Sequence, residues 1–317
     1  MRFPVLPLVL LAPALLLTAC DRKAGSIDTD YPLTRLTERV YVIHGPNEMP
    51  NEANQAFMNN PGFVLTPKGV VVVDPGSSVQ VGEMLLKKIA TVTRDPVIAV
   101  FNTHIHGDHW LGNDAIRRAH PKAVIYAHPN MIAKAAVEGE NWIERMNQLS
   151  DGAVRGTQVV VPQLGLDNDE TLTVGGLHFR LYHTGVAHTD GDLMIEVVEE
   201  KVLFLGDNVV AERAGRLDDG NFTGNIAACD AALKTGATKF VPGHGVSGGR
   251  EVVTAYRTWL ATLYGSVKKH YEAGVGAIDM KDKVVPELAA YRKWALFDSE
   301  IGKLVSLATL QAEQEAF

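Results

Sequence analysis

The sequence predicts an α/β protein with two β-rich halves, helices outside them and a helical tail. Three observations carry this. Strand hairpins and helices alternate twice, over about residues 40–130 and again over 158–245. Beyond Gly249 the pattern is wholly helical. The 317 residues, 46% hydrophobic and 21% charged, have ordinary globular composition. One-sided strands and amphipathic helices must bury their apolar faces, and two packed sheets with helices outside satisfy both. No solenoid-length repeat or low-complexity linker divides the chain.

Val40–Ile43 reads as a strand, and residues 44–60 as a polar loop. Gly62–Leu65 and Val70–Val73 flank the turn Pro67-Lys68-Gly69, so a hairpin is expected. From Ser78 to Ala90, Val79, Val81, Met84, Leu85 and Ile89 have helical spacing. A strand at Val97–Phe101, a short helix at Leu111–Ala119, a strand at Ala123–Ala127 and a helix over 130–149 complete the first half. In the second, Gly175-Gly176 joins Thr171–Val174 to Leu177–Tyr182, the strongest hairpin signal in the chain. Leu193–Val198 and Val202–Leu205 form another hairpin. A helix at Asn225–Lys234 and a strand at Lys239–Val241 follow. Val252–His270 and Ser299–Gln314 are the main tail helices, and the tail aromatics Trp259, Tyr264, Tyr271, Tyr291 and Trp294 read as core.

Composition excludes several functions. With 30 basic against 37 acidic residues, the net charge of −7 and a pI near 5.9 argue against a binder working by phosphate neutralisation. Two cysteines are too few for a disulfide framework. After Arg2 the chain is uncharged from Phe3 to Thr18, shorter than the about 20 residues of a membrane span and interrupted by Pro4, Pro7 and Pro13. A buried N-terminal helix is one reading. A basic start, an apolar stretch and small residues fit a secretory signal better. Leu17-Thr18-Ala19-Cys20 resembles the lipobox of bacterial lipoproteins, which implies a lipidated Cys20 as mature N-terminus and membrane attachment. A plain cleaved signal, or a Cys20–Cys229 disulfide that lipidation would exclude, stand as alternatives. In that family Asp21 beside the cysteine implies retention at the inner membrane facing the periplasm.

The dominant motif is Thr103-His104-Ile105-His106-Gly107-Asp108-His109, just past the strand Val97–Phe101. In an extended segment residues i and i+2 share a side, so His104 and His106 can hold one metal ion. A turn at Gly107 then lets Asp108 and His109 aim at a second. Imidazole and carboxylate suit zinc. Three later segments end expected strands with a chemistry-bearing residue: His188 in Gly185–Asp192, Asp207 after Val202–Gly206, and His244 in Val241-Pro-Gly-His-Gly245. Each alone is weak; in this order they complement the first motif.

These residues resemble the metallo-β-lactamase-fold hydrolase superfamily over about residues 38–247, including Val71–Gly76 as its early aspartate motif. The resemblance implies a four-layered αββα sandwich and two zinc ions per chain. His104, His106 and His188 would bind one ion, Asp108, His109 and His244 the other, and Asp207 would bridge them. Asp74 would orient a ligand by hydrogen bonding. The domains expected are a lipoprotein signal peptide (1–19), a tether (20–37), the metallo-β-lactamase-like domain (38–249) and a C-terminal helical extension (250–317).

An aspartate at position 207 looks like the glyoxalase II and lactonase type of site. The cysteine- and glycine-rich segment usual after it in glyoxalase II is absent from Asn208–Arg213. Flavodiiron oxygen reductases usually have Glu where this chain has His106. The segment Gly220–Asn225 and the loop 44–60 look like exported lactamase-like and quinoprotein-associated members. The resemblance therefore implies cleavage of a cyclic amide, ester, lactone or thioester, with Asp108 also steering a proton to the leaving group. Alternatives are an iron-dependent redox enzyme of persulfide dioxygenase type, or an accessory protein of a periplasmic quinoprotein system. A locally positive metal centre would attract an anionic small molecule despite the acidic chain. Arg213 and Arg216 are candidates to clamp its carboxylate, and His44 is a candidate substrate contact.

Overall fold

The computed structural model describes residues 25–167 and 169–316. The signal segment, Cys20 and the start of the tether lie outside the described residues. Among the described residues no helix is long and apolar enough to cross a membrane.

Two sheets form the centre. The first contains β1 (Leu33–Arg35), β2 (Val40–Ile43), β3 (Gly62–Thr66), β4 (Gly69–Val73), β5 (Val97–Phe101), β6 (Val124–Ala127) and β7 (Leu164–Gly165), side by side in chain order. The second contains β8 (Thr171–Val174), β9 (Leu177–Tyr182), β10 (Met194–Val197), β11 (Val202–Gly206) and β12 (Lys239–Pro242). The three expected hairpins, β3–β4, β8–β9 and β10–β11, pair antiparallel, whereas β4–β5, β5–β6 and β11–β12 are parallel. Parallel neighbours need a crossover, and the intervening helices supply it.

Alternation along the strands builds the layers. Val71 and Val73 join Phe101, Phe179, Ile195 and Phe204 in the core between the sheets. Val70 and Val72 face the other way, onto α1 (Val79–Val92) and α3 (Asn113–Ala119). Leu203 and Leu205 likewise face out, toward α5 (Phe222–Lys234), α6 (Arg250–Glu272), α7 (Ala277–Val284) and α8 (Phe297–Glu315). Helices α2 (Gly107–Trp110) and α4 (Pro129–Leu149) close one side through Trp110, Met131 and Ile143. This is the αββα sandwich, and fully burying each of its central aromatics contributes roughly 1.5–3 kcal/mol. Helix starts follow their side chains: Ser78 accepts from Val81 N at 3.2 Å, and His128 with Pro129 opens α4.

Five short elements escaped the sequence pattern. β1 carries only three residues and no clean alternation, and it lies in the segment read as tether. β7 is two exposed residues, and α2 is a single turn where a bend at Gly107 was expected. In the tail, α7 and the 3₁₀ turn Val285–Tyr291 bury Met280, Val284 and Leu288, a spacing of four that would have signalled them.

Candidate metal centre

The strands deliver the site. Asp74 follows β4, His104–His109 follow β5, His188 lies between β9 and β10, Asp207 follows β11 and His244 follows β12. All lie beyond strand ends directed the same way, where loops of open α/β sheets converge on ligands. Backbone must come very close here. Gly206 ends β11 at φ +53°, and a Cβ on Gly243 would overlap Asp207 Oδ1, so neither place tolerates a side chain.

The structure brings all seven candidate residues together in two adjoining groups. His104, His106, His188 and Asp207 present ligand atoms within 4.8 Å of one another, and so do Asp108, His109 and His244. Asp207 lies between the groups: Oδ1 is 3.2 Å from His109 Nε2, while Oδ2 is 3.3 Å from His244 Nε2 and 3.7 Å from His188 Nε2. Asp108 Oδ2 is 3.2 Å from His244 Nε2 and 3.4 Å from His109 Nε2.

Outer hydrogen bonds assign the imidazole protons. His109 Nδ1 is 2.9 Å from the Asp74 carboxylate and His244 Nδ1 is 2.8 Å from the Met58 carbonyl. Both partners only accept, so each Nδ1 carries a proton and each Nε2 faces inward onto Asp108 and Asp207, where a cation can take the place of its second proton. Thr103 Oγ1 donates to Asp74 at 2.7 Å and therefore accepts from His104 Nδ1 at 2.9 Å. His104 Nε2 is left buried with no hydrogen-bond partner. His106 is turned round. Its Nε2 is bound by Asp219 at 2.8 Å, so Nδ1 faces inward, 2.9 Å from His188 Nε2. Four imidazoles thus converge ring nitrogens beside two carboxylates, an arrangement that can hold cations.

Electrostatics agree. Burial alone would lower His109, but Asp108, Asp207 and Asp74 outweigh it and raise it well above the usual range. Burial would raise Asp108 and Asp207, yet the facing histidines hold both well below the carboxylate range. The pocket favours positive charge. Burial, then neighbouring histidines, push His104 far down and His188 down to about 3.

These shifts fix a sign. In chelator-treated protein, stability is expected to fall as pH drops below about 6.5, because unfolded His104 and His188 take up protons there and the folded ones do not. His109 and His244, raised in the fold, contribute fully below about 6.5 and lose that contribution only as pH rises. Asp108 and Asp207 lose theirs only as pH falls toward and below the ordinary carboxylate range. Asp192, raised to about 6 by burial, opposes the trend as one group against two. Thermal unfolding midpoints at about pH 6.5, 5.5 and 5 check this; a flat or rising series on acidification would contradict it.

A narrow cleft opens over the centre, lined by Met49, Pro50 and Met58 of the loop 44–60, Trp142, Arg145, Met146 and Leu149 of α4, and Arg213 and Arg216. Arg213 is buried and donates to Asn47 Oδ1 and the Glu48 carbonyl, so it fastens the loop instead of clamping a carboxylate. Arg216 lines the cleft while pairing with Asp218 at 2.7 Å. His44 turns away, 2.8 Å from Ser247 Oγ, and does not line this cleft. Thr103, Asp192 and Asp219 support the site and were not singled out from sequence. Thr103 stands inside the histidine motif and could have been found. Asp192 binds Thr189 N and Oγ1 at 2.8 and 2.6 Å, and Asp219 is distant in sequence, so only folding reveals their roles.

The profile of the metallo-beta-lactamase superfamily matches residues 55–244, more than half of the chain. The chain belongs to the metallo-β-lactamase superfamily. A hydroxyacylglutathione hydrolase from Synechococcus sp. (strain JA-3-3Ab) is 31% identical over 149 residues, 47% of each protein, so this chain matches about half of that relative. A metallo-beta-lactamase type 2 from Bacteroides fragilis is 23% identical over 73% of this chain and 86% of its own. Among solved structures, a metallo-beta-lactamase from Pontibacter korlensis aligns with TM-score 0.57 at 21% identity, covering 73% of this chain and 99% of that one. The sec-alkylsulfatase Pisa1 from Pseudomonas sp. aligns with TM-score 0.69 at 16% identity, over 89% of this chain and 50% of that one. The superfamily relatives are hydrolases, a thioester hydrolase among them, and the metallo-β-lactamase fold of this chain carries a His/Asp site fit for metal.

Proposed function

We propose that the protein is a zinc-dependent hydrolase of acyl compounds, with one ion on His104, His106 and His188, a second on Asp108, His109 and His244, and Asp207 shared between them. The observation that carries this is the convergence of inward-facing imidazole nitrogens on either side of Asp207. Two zinc ions held by these residues would supply a nucleophile at neutral pH, by lowering the pKa of water from about 15.7 to about 7, and would polarise a carbonyl. The protein's own groups do the rest. Asp108, an ionised carboxylate buried beside His109 and His244, would take the proton released by the attacking water and pass it to the leaving atom. Trp142, Met58 and Met146 exclude water from the acyl group, and Arg145 and Arg216 attract an anionic substituent to the cleft.

The substrates this site favours are lactones or other esters, thioesters and cyclic amides of β-lactam type. The names of the superfamily relatives, which include a hydroxyacylglutathione hydrolase and a metallo-beta-lactamase, support that range. We infer in addition that the protein is exported and tethered through a lipidated Cys20 at the inner membrane, facing the periplasm, on the strength of the Leu17–Cys20 motif.

Elemental analysis followed by a screen against nitrocefin, lactones and thioesters tests the hydrolase reading. About two zinc per chain and turnover of one of these classes are expected. A single iron with persulfide oxidation, or no turnover of any class by zinc-loaded protein, would overturn it.

A further inference from the structure

We propose that the segment Asp219–Asn225 is a brace that sets metal affinity at the His104/His106/His188/Asp207 group, separately from the Asp108/His109/His244 group. This rests on the metal reading above.

The segment binds one donor of that group directly and the backbone beside two others. Asp219 Oδ2 accepts from His106 Nε2 at 2.8 Å, which is what turns the Nδ1 lone pair of His106 inward. Asn221 N donates to the Ala187 carbonyl at 2.9 Å and its side-chain amide to the Val186 carbonyl at 3.3 Å. Both carbonyls belong to the loop carrying His188. The contact is backbone against backbone: a Cβ on Gly220 would overlap the Ala187 oxygen, and one on Gly224 the Val186 oxygen. Asn225, fully buried, donates to the carbonyl of Asn208 at 2.8 Å, the residue after Asp207.

The brace is itself anchored. Asn221 caps α5 by accepting from Gly224 N at 2.6 Å, and Phe222 N donates to Gln311 of α8 at 2.8 Å. Asp218, next to Asp219, pairs with Lys303 of α8 and with Arg216. The helical extension therefore holds the segment that orients His106 and His188. The other group takes its outer bonds elsewhere, from Asp74 and the Met58 carbonyl. Loss of an outer partner of a metal-bound histidine costs roughly 10–100-fold in affinity.

The experiment is a chelator titration of the zinc-loaded full chain, repeated with cobalt(II) to read the visible spectrum of each site. Asp219→Ala is expected to weaken one of two release steps by about 10–100-fold and leave the other as in the parent protein. Asp219→Asn, whose amide oxygen still accepts from His106, should restore part of that loss. Gly224→Ala should weaken the same step through the His188 loop. Unfolding curves of the metal-free variants show that they are folded, and Asp219→Ala decides the matter if Gly224→Ala is not. Release unchanged in Asp219→Ala, or both steps weakened equally, would overturn the brace. Fewer than two ions on the parent protein would overturn the metal reading beneath it.

Discussion

Asp207→Ala is expected to release both ions and to lower kcat/KM by more than about 10²-fold, beyond what losing an outer partner alone costs. The reason is position. Each of its oxygens approaches a different imidazole, Oδ1 toward His109 and Oδ2 toward His244 and His188, so one carboxylate neutralises charge in both groups. Removing it also leaves His109 and His244 with less negative charge to face, Asp207 being the strongest counter-charge to His244. Asp108→Ala makes the comparison informative, because among the described residues the Asp108 carboxylate pairs with His109 and His244 of its own group. It should cost the second ion while sparing the first. Zinc content and kcat/KM measured on both variants check this. Two tightly held ions in Asp207→Ala would refute the shared-carboxylate arrangement.

Trp259→Ala is expected to destabilise the protein by about 3–5 kcal/mol without changing the metal content of the folded fraction. Trp259 is fully buried on α6, with Tyr291, Trp294 and Phe297 around it at ring separations of 5.0, 5.6 and 5.9 Å. Truncation opens a cavity where α6 meets the later tail, and three facing rings cannot all move in to fill it. Denaturant unfolding of zinc-loaded protein measures the loss; a change below about 1 kcal/mol would mean the tail is not packed on the sandwich through this residue.

Most regular elements were legible because their periodicity is local. The β-branched runs 70–73 and 97–101 and the apolar spacing of 79–89 each state which face is buried without reference to the rest of the chain. The Gly-Gly turn at 175–176 did the same for β8–β9. Elements without internal periodicity were not legible: β1 and β7 are strands only because a neighbour offers them a ladder. Arg213 shows the other limit. From sequence it is a cation after Asp207 and thus a candidate for an anionic substrate. In the fold its guanidinium is buried and spent on the loop 44–60, since a buried charge must find acceptors. His44 was misread for a similar reason, its ring being taken up by Ser247.

The sequence by itself determined the donors: the histidine motif, His188, Asp207 and His244 are recognisable by type, spacing and strand-end position. What only the tertiary structure decided is how each donor is held. The ring nitrogen an imidazole turns inward depends on its outer acceptor, and those acceptors lie far off in the chain. His109 is set by Asp74, His244 by Met58 and His106 by Asp219, more than a hundred residues away. Asp74, already expected to orient a ligand, reaches His109 from the end of the neighbouring strand β4 of the same sheet. Met58 and Asp219 leave no local pattern in sequence, because only packing of the two halves brings them within 3 Å of His244 and His106.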